Sequence, residues 1–579
     1  MRDWFSGFVV GKGLKVSFTR RASLRRTDFA ARVVQVVVVA VIILLVAYPL
    51  YWILAGSFRP GEQWGLGAYR AVLSDQATYR ALANTLVYAL AATILSVFIS
   101  VPLAWVTTRT NTPLGRFWNL IAIVPFVAPP FVGALAWSVL AAPRTGFLNV
   151  AIEYISGFSK VINIYSSAGL IWVLALYSSP YVYLLTASAL SSMDPALEEA
   201  AEVAGTTRVQ ILFKIVLPLI APGLLAGALL AFINCLEQFG IPAIIGGPAN
   251  IEVLTTTIYQ HMSQFPPSYA EAAAVSILLM GVTIAAALAQ RQIIRGRGYT
   301  TITGRGMRAK TVDLGRWRYL SVVLCASYLL VAVGLPFSAL VLSSLLPGGI
   351  ADPANLWPTA ENYIFVLLRY PISIRALWNS VFLAALGATI CVLLVSVASY
   401  LIVRSRARLA KALEFFILMP FAIPGIVFSV GLFWAYIRPP IALYGTIWIL
   451  LVSYVTRFLP FTERAVSASL VQVDRSLEEA MGVCGGSWGY TFRKVVLPLV
   501  KPGLLAAWVL LFVIMMRELG ASILLYSTGA EVVSVVLFDL WESGEFGSLS
   551  AYATSVSVIV VVVLYIFQRI FGISLTEKM

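Results

Sequence analysis

The chain has 579 residues, 60% hydrophobic and only 12% charged. Soluble globular domains carry about 25% charged residues, and several windows here exceed the ~20 apolar residues that span a bilayer, so a water-soluble fold is excluded. The runs are continuous and do not alternate, which argues against a β-barrel. The formal net charge is +15; the basic residues lie in short segments between apolar runs, which reads as membrane orientation rather than nucleic-acid binding.

Residues 1–30 form a basic arm with Lys12, Lys15, Arg20, Arg21, Arg25 and Arg26. The run after it is too long for a signal-peptide core and is read as a retained span. Gly7 to Lys12-Gly13 imitates a Walker A loop. Its spacing is one residue short, and Gly13 stands where a Ser or Thr hydroxyl would meet Mg, so ATP hydrolysis is expected on another polypeptide.

Twelve spans are predicted. The first six cover about 33–54, 84–106, 118–140, 168–189, 219–238 and 270–290, and the second six about 319–342, 379–403, 413–436, 444–463, 500–519 and 552–572. They divide the chain into a first half at 31–290, a basic linker at 291–318 and a second half at 319–575. Arg109 and Arg116, the linker, and Arg404, Arg406, Arg408 and Lys411 all fall on the side of the N-terminus. The positive-inside effect places that side, with both termini, in the cytoplasm.

The halves repeat. Leu82-Ala83-Asn84-Thr85 matches Leu377-Trp378-Asn379-Ser380, and Val124-Pro125-Phe126 with Pro129 matches Met419-Pro420-Phe421 with Pro424, both at an offset of 295; later matches lie at 280. Six spans per half is an even number, so the repeats are parallel about a pseudo-twofold axis.

Two polar loops, 194–218 and 474–498, interrupt the apolar pattern. Asp194 and Asp474 are placed to cap short helices with Glu198, Glu199, Glu478 and Glu479 in the early turns. Pro195 suits a first helical position. Gly205 and Gly485 are placed to end them. Pro218 with Pro222, and Pro498 with Pro502, are expected to mark the corner into the next span.

Glu199-Ala200-Ala201 followed by Gly205, Ile215 and Leu217-Pro218 resembles the EAA motif of ABC-importer permeases. Glu479-Ala480-Met481 with Gly485, Val495 and Leu497-Pro498 is a divergent second copy. Supporting stretches include Val253-Leu254-Thr255-Thr256, Asp313-Leu314-Gly315-Arg316-Trp317-Arg318 and Met516-Arg517-Glu518-Leu519. The chain is similar to fused permeases of the ferric-iron type. The resemblance implies an all-α fold of about 12 transmembrane helices, the type I ABC importer permease fold, in a prokaryotic inner membrane. It implies two copies of an ABC ATPase subunit docked at Glu198, Glu199, Ala200 and Gly205 and at Glu478, Glu479, Ala480 and Gly485. It also implies a periplasmic or lipid-anchored solute-binding protein. ATP and Mg would sit on the partner ATPase, with no cofactor, catalytic residue or metal site in this chain. Ferric iron is the first substrate choice; thiamine, polyamines, 2-aminoethylphosphonate and sugar phosphates are alternatives.

Acids within the apolar segments are few. Glu237 lies about 22 Å of helix rise beyond Pro222, and Glu518 about 24 Å beyond Pro502. Ionisable groups at such depth face a pathway or a partner. Glu237 matches Arg517 at the 280 offset. These two are expected to meet across the axis and help close an outer gate, with Asn234, Gln238 and Glu518 along the route. The alternative places both acids in the headgroup zone or in packing hydrogen bonds.

Cys235, Cys325, Cys391 and Cys484 have no paired spacing and read as packing residues. His261 is the single histidine and reads as an ordinary loop residue. Gly223-x-x-x-Gly227 permits close helix contact. A twelve-span secondary transporter has the same repeat count but has no need of matched EAA loops. A membrane enzyme needs clustered acids or histidines at one depth, which the sequence does not supply.

Overall fold

The computed structural model describes residues 19–59, 64–127, 129–194, 196–295, 312–349, 357–404 and 408–571. The Gly7–Gly13 stretch, Pro195, most of the linker and Arg406 lie outside the described residues.

Among the described residues the chain is helical, apart from one isolated bridge between Thr110 and Val312. Fourteen helices matter here. In the first half they are α1 (Thr19–Ser57), α2 (Gln76–Arg109), α3 (Pro130–Ala141), α4 (Ser167–Ser192), α5 (Ala196–Val203), α6 (Leu217–Glu237) and α7 (Tyr269–Arg295). In the second they are α8 (Leu335–Ser344), α9 (Pro371–Arg404), α10 (Gly425–Tyr436), α11 (Ile447–Val471), α12 (Arg475–Val483), α13 (Leu497–Met516) and α14 (Phe546–Phe571). Each element of the second half repeats one of the first. Helices fit this environment because every backbone group is satisfied within its own segment.

Among the described residues, nine helices are long and apolar enough to cross a membrane, and two bent pairs raise the number to 11. The twelfth expected span is α11. Arg457, Glu463 and Arg464 interrupt its apolar run, yet it packs on α9 as its counterpart α4 packs on α2.

The third span of each half is broken, where continuous segments were expected. Ala410–Ala422 and Gly425–Tyr436 meet at 111°. The break falls at Pro420 and Pro424, matched by Pro125 and Pro129, whose missing N–H groups leave gaps in the hydrogen-bond ladder there.

The fifth spans also start differently from expectation. Helix runs from Arg208 and from Trp488 through one π-helical turn, Leu212–Val216 or Phe492–Val496, into α6 or α13. The Leu217 N–H bonds the Leu212 carbonyl and the Leu497 N–H bonds the Phe492 carbonyl. Pro218 and Pro498, next in line, have no N–H to give. The corner is therefore not at Leu-Pro but earlier, just after Gly205 and Gly485.

The halves interlock through their first spans. α1 packs on α10 of the second half, and α8 packs on α3 of the first. Gly431 makes the first crossing close: a Cβ there would lie 2.7 Å from the Pro49 carbonyl oxygen. The Tyr48 hydroxyl donates to the Ala435 carbonyl at 3.3 Å.

Within a half, buried hydroxyls join the second span to the fourth. Ser96 donates to the Ala175 carbonyl at 2.9 Å, and Ser100 to that of Ser179 at 2.8 Å. Cys391 takes the place of Ser96 in the second half and donates its thiol to the Val455 carbonyl at 3.3 Å. This cysteine therefore does more than pack. Gly227 brings α6 against α4; a Cβ there would lie 3.0 Å from the Val182 Cα.

Candidate translocation path and coupling helices

At one end of the bundle lie α5 and α12. Asp194 accepts from the Ala196 N–H at 2.9 Å, and Asp474 from the Ser476 N–H at 2.8 Å. The bonds from Ser476 hold the Asp474 carboxyl below the usual carboxylate range. Past the helix ends, Gly205 and Gly485 adopt φ +79° and +81°. This left-handed conformation favours glycine. It lets the Thr206 N–H return to the Ala201 carbonyl at 3.0 Å and the Gly486 N–H to that of Met481 at 2.9 Å.

The two adjacent glutamates of each loop diverge, because neighbouring helical side chains point about 100° apart. Glu199 and Glu479 are exposed, as are Ala200 and Ala480. Val203 and Val483 are each 90% exposed, so each short helix presents an apolar residue to solvent. Glu198 and Glu478, grouped with the docking residues from the sequence, turn the other way. Glu198 bonds Arg109 at the end of α2. Glu478 lies 2.7 Å from Arg404 at the end of α9 and accepts from the Tyr400 hydroxyl at 2.7 Å.

A cavity of about 170 Å³ lies between the halves, lined by all five expected path residues: Asn234, Glu237, Gln238, Arg517 and Glu518. It sits where α6 and α13 end and the broken third spans bend, so Phe126 and Phe421 also line it. In the first half, Asn234 donates to the Tyr181 hydroxyl at 3.1 Å, and Gln238 donates to the Asn234 amide oxygen at 3.2 Å.

The cation beside Glu237 is Arg457, which the sequence reading did not name. Its Nη2 lies 3.6 Å from Glu237 Oε2 and its Nη1 2.5 Å from Glu518 Oε1. Glu518 also accepts from the Ala521 N–H at 2.9 Å. Arg517, the expected partner of Glu237, is seated differently. It donates to the Phe126 carbonyl, and its guanidinium lies 5.4 Å from the centre of the Phe126 ring.

Arg457 escaped notice because it matches Tyr177 at the repeat offset, so comparison of the halves offers no charged partner. An arginine within a spanning segment was the available signal. Gly425 makes room for it: a Cβ on Gly425 would lie 1.5 Å from Arg457 Nη1. The two arginines and two glutamates of the cavity cancel formally. Among the described residues, no group of three or more His, Cys, Asp or Glu is placed to hold a metal ion.

At the end opposite α5 and α12, the Asn-Thr and Asn-Ser pairs that mark the repeat act as clamps. Asn84 donates to the Glu252 carbonyl at 2.9 Å, and Thr85 accepts from the Leu254 N–H at 2.9 Å. Asn379 donates to the Glu531 carbonyl at 2.9 Å, and Ser380 accepts from the Val533 N–H at 2.9 Å. Arg375 adds a two-pronged bond to the Glu531 carboxylate, 2.9 Å on each prong.

The chain is similar to known membrane transport proteins. A family model described as "Binding-protein-dependent transport system inner membrane component" matches residues 84–296 and 392–573. The chain is 28% identical over 539 residues to the ferric transport system permease protein FbpB of Actinobacillus pleuropneumoniae, covering 92% of this chain and 77% of that one. It is 28% identical over 503 residues to the putative ferric transport system permease protein FbpB 1 of Haemophilus influenzae (strain ATCC 51907 / DSM 11121 / KW20 / Rd), covering 86% and 78%. A crystal structure of a bacterial alginate ABC transporter, in complex with an alginate pentasaccharide-bound periplasmic protein, aligns with 48% of this chain and 98% of its own. Its TM-score is 0.39, at 19% identity. With two family matches in one polypeptide and two helical repeats around one axis, the chain belongs to the binding-protein-dependent transport system inner membrane components, as a fused permease of an ABC importer.

Proposed function

We propose that this permease is coupled to two ATPase subunits through α5 and α12, and that it carries ferric iron released by a solute-binding protein. The observation that carries the coupling is the matched construction of the two short helices. Each has an Asp cap, a Glu-Ala outer face, an exposed valine and a left-handed glycine. An exposed apolar residue on a rigid, capped helix suits insertion into a partner's cleft. Glu199, Ala200 and Gly205, with Glu479, Ala480 and Gly485, form the docking surface, on the cytoplasmic side.

The cavity at Glu237, Arg457, Arg517 and Glu518 is the closed gate of the path. ATP binding draws the ATPases together, the two helices follow, and the halves part at the cavity. Two contacts at the cavity join opposite halves and must break: Arg457 to Glu237, and Arg517 to the Phe126 carbonyl. Arg457 then stays with Glu518 of its own half, and the Glu237 carboxylate faces the opened route. Oxygen ligands suit a hard trivalent cation, and weak, incomplete coordination suits passage rather than storage. Iron as the substrate is drawn from the names of the relatives above.

The test is reconstitution of the chain in proteoliposomes with its ATPase and solute-binding protein partners. ATP-dependent uptake of ⁵⁵Fe³⁺ with co-purification of the ATPase is expected. Uptake of the same size without ATP would overturn the coupling. ATP-driven uptake of another solute, with none of iron, would overturn the substrate.

A further inference from the structure

We propose that Arg109 with Glu198, and Arg404 with Glu478, are tethers that carry the movement of each coupling helix into the second span of its half. This rests on the reading that α5 and α12 receive the ATPase stroke.

The pairs recur at equivalent places although the chain spacing between their members has changed. Arg109 and Arg404 are 295 residues apart, and Glu198 and Glu478 are 280 apart. The loop between the third and fourth spans is shorter in the second half, yet each α2-type helix ends on an arginine that meets the first glutamate of the next short helix. The tertiary position has been kept where the sequence distance was not. All four side chains are shielded: Arg109 is 2% exposed, Glu198 20%, Arg404 14% and Glu478 11%. Shielded pairs are screened less than surface pairs, and each partner depends on the other to offset its lost hydration.

Neither α5 nor α12 contains a buried residue. The helices at the other end of the tethers are hubs. α2 packs on α4 and α6, and α9 packs on α11 and α13. α6 and α13 end at the charged cavity. A displacement of Glu198 or Glu478 therefore reaches the gate through one ion pair and one helix interface. The second tether is reinforced by the Tyr400 hydroxyl on Glu478 and by Arg404 Nη2 donating to the Val473 carbonyl at 2.8 Å. At the first, the Val312 N–H donates to the Arg109 carbonyl at 2.7 Å, so the end of the linker is fixed at the same point. Each Glu-Glu pair thus divides its work: the first residue faces inward to the second span, and the second faces outward to the partner. Arg109 and Arg404 are positioning residues that act through the coupling helices.

The test compares the reconstituted importer carrying Arg109→Gln and Arg404→Gln with the wild-type complex, using ⁵⁵Fe³⁺ on the binding protein. Three quantities are read: ATPase retained on purification, ATP hydrolysed and iron imported. The double variant is expected to keep its ATPase and hydrolyse ATP while importing at least fivefold less iron per ATP. A reversed pair, Arg404→Glu with Glu478→Arg, is expected to recover at least half of what Arg404→Glu alone loses. Unchanged import per ATP in the double variant would overturn the tether, as would absence of rescue. If the double variant does not insert, Arg404→Lys alone is the alternative. It keeps the charge but not the planar fork and is expected to lower import per ATP about twofold, an unchanged ratio being the refuting result. A wild-type chain that retains no ATPase would overturn the coupling reading itself, and with it the tether.

Discussion

Arg457 in the second half reaches Glu237 in the first at 3.6 Å, across the boundary between the two repeats. The same guanidinium is held at 2.5 Å by Glu518 of its own half, so one arginine bridges two carboxylates. Removing it takes a cation from both acids in a shielded site. Arg457→Gln is expected to cost about 3 kcal/mol of stability, read as a lowered unfolding midpoint of the purified permease. Glu237→Gln should cost less, because Arg457 keeps its nearer partner. Equal losses for the two variants would argue against a bridge.

Gly425 offers a second route to the same site. A methyl group there meets the far end of a flexible side chain rather than backbone, so Arg457 must move and the helix can stay. Gly425→Ala and Arg457→Gln are both expected to lower iron uptake by disturbing the same contact, Gly425→Ala with the smaller loss of stability, about 1–2 kcal/mol. Iron uptake and thermal unfolding, measured together, would show whether the two effects separate.

Gly205 and Gly485 have open space around a would-be Cβ but a left-handed backbone. Gly205→Asp or Gly485→Asp should therefore strain the helix end by about 1–2 kcal/mol without creating a clash. ATPase co-purification is expected to fall severalfold while membrane insertion is unchanged. Normal co-purification and transport in both variants would remove the docking role.

Acid should loosen the loop at the opposite end through Glu531. Burial raises the pKa of this carboxyl, but the bonds from Arg375 and the Gly529 N–H outweigh it and leave the pKa below the usual value. A depressed folded pKa gives stability that is present above the unfolded value, about 4.3, and lost as pH falls through the folded one. Hydrogen exchange at the Gly529 amide, bonded to Glu531 at 3.0 Å, should accelerate relative to its intrinsic rate as pH falls below about 4. Glu531→Gln should abolish that acid step, and its persistence would assign the step to another group.

Much of the fold was legible because a bilayer makes strong demands of a sequence. Apolar length, the basic loops and the matched Asn, Pro and Asp positions located the helices and the repeat. The Asp caps and the left-handed glycines followed from local backbone chemistry, which depends on a few adjacent residues. Local pattern was less informative where prolines act through missing donors. At Pro420 and Pro424 they break a span, whereas at Pro498 the helix continues through a π turn. Nothing in the proline spacing alone separates those outcomes, because they depend on what packs around the bend.

The sequence by itself determined a membrane protein of two parallel helical repeats, with two capped polar helices and a few acids deep in apolar segments. Only the tertiary structure decided which charges meet. Glu198 and Glu478 turn inward because the second spans end beside them, and Glu237 faces Arg457 because broken third spans and interlocked first spans bring the halves together there. Apolar periodicity is a property of each segment, but the partner of a buried charge is set by contacts between segments far apart in the chain.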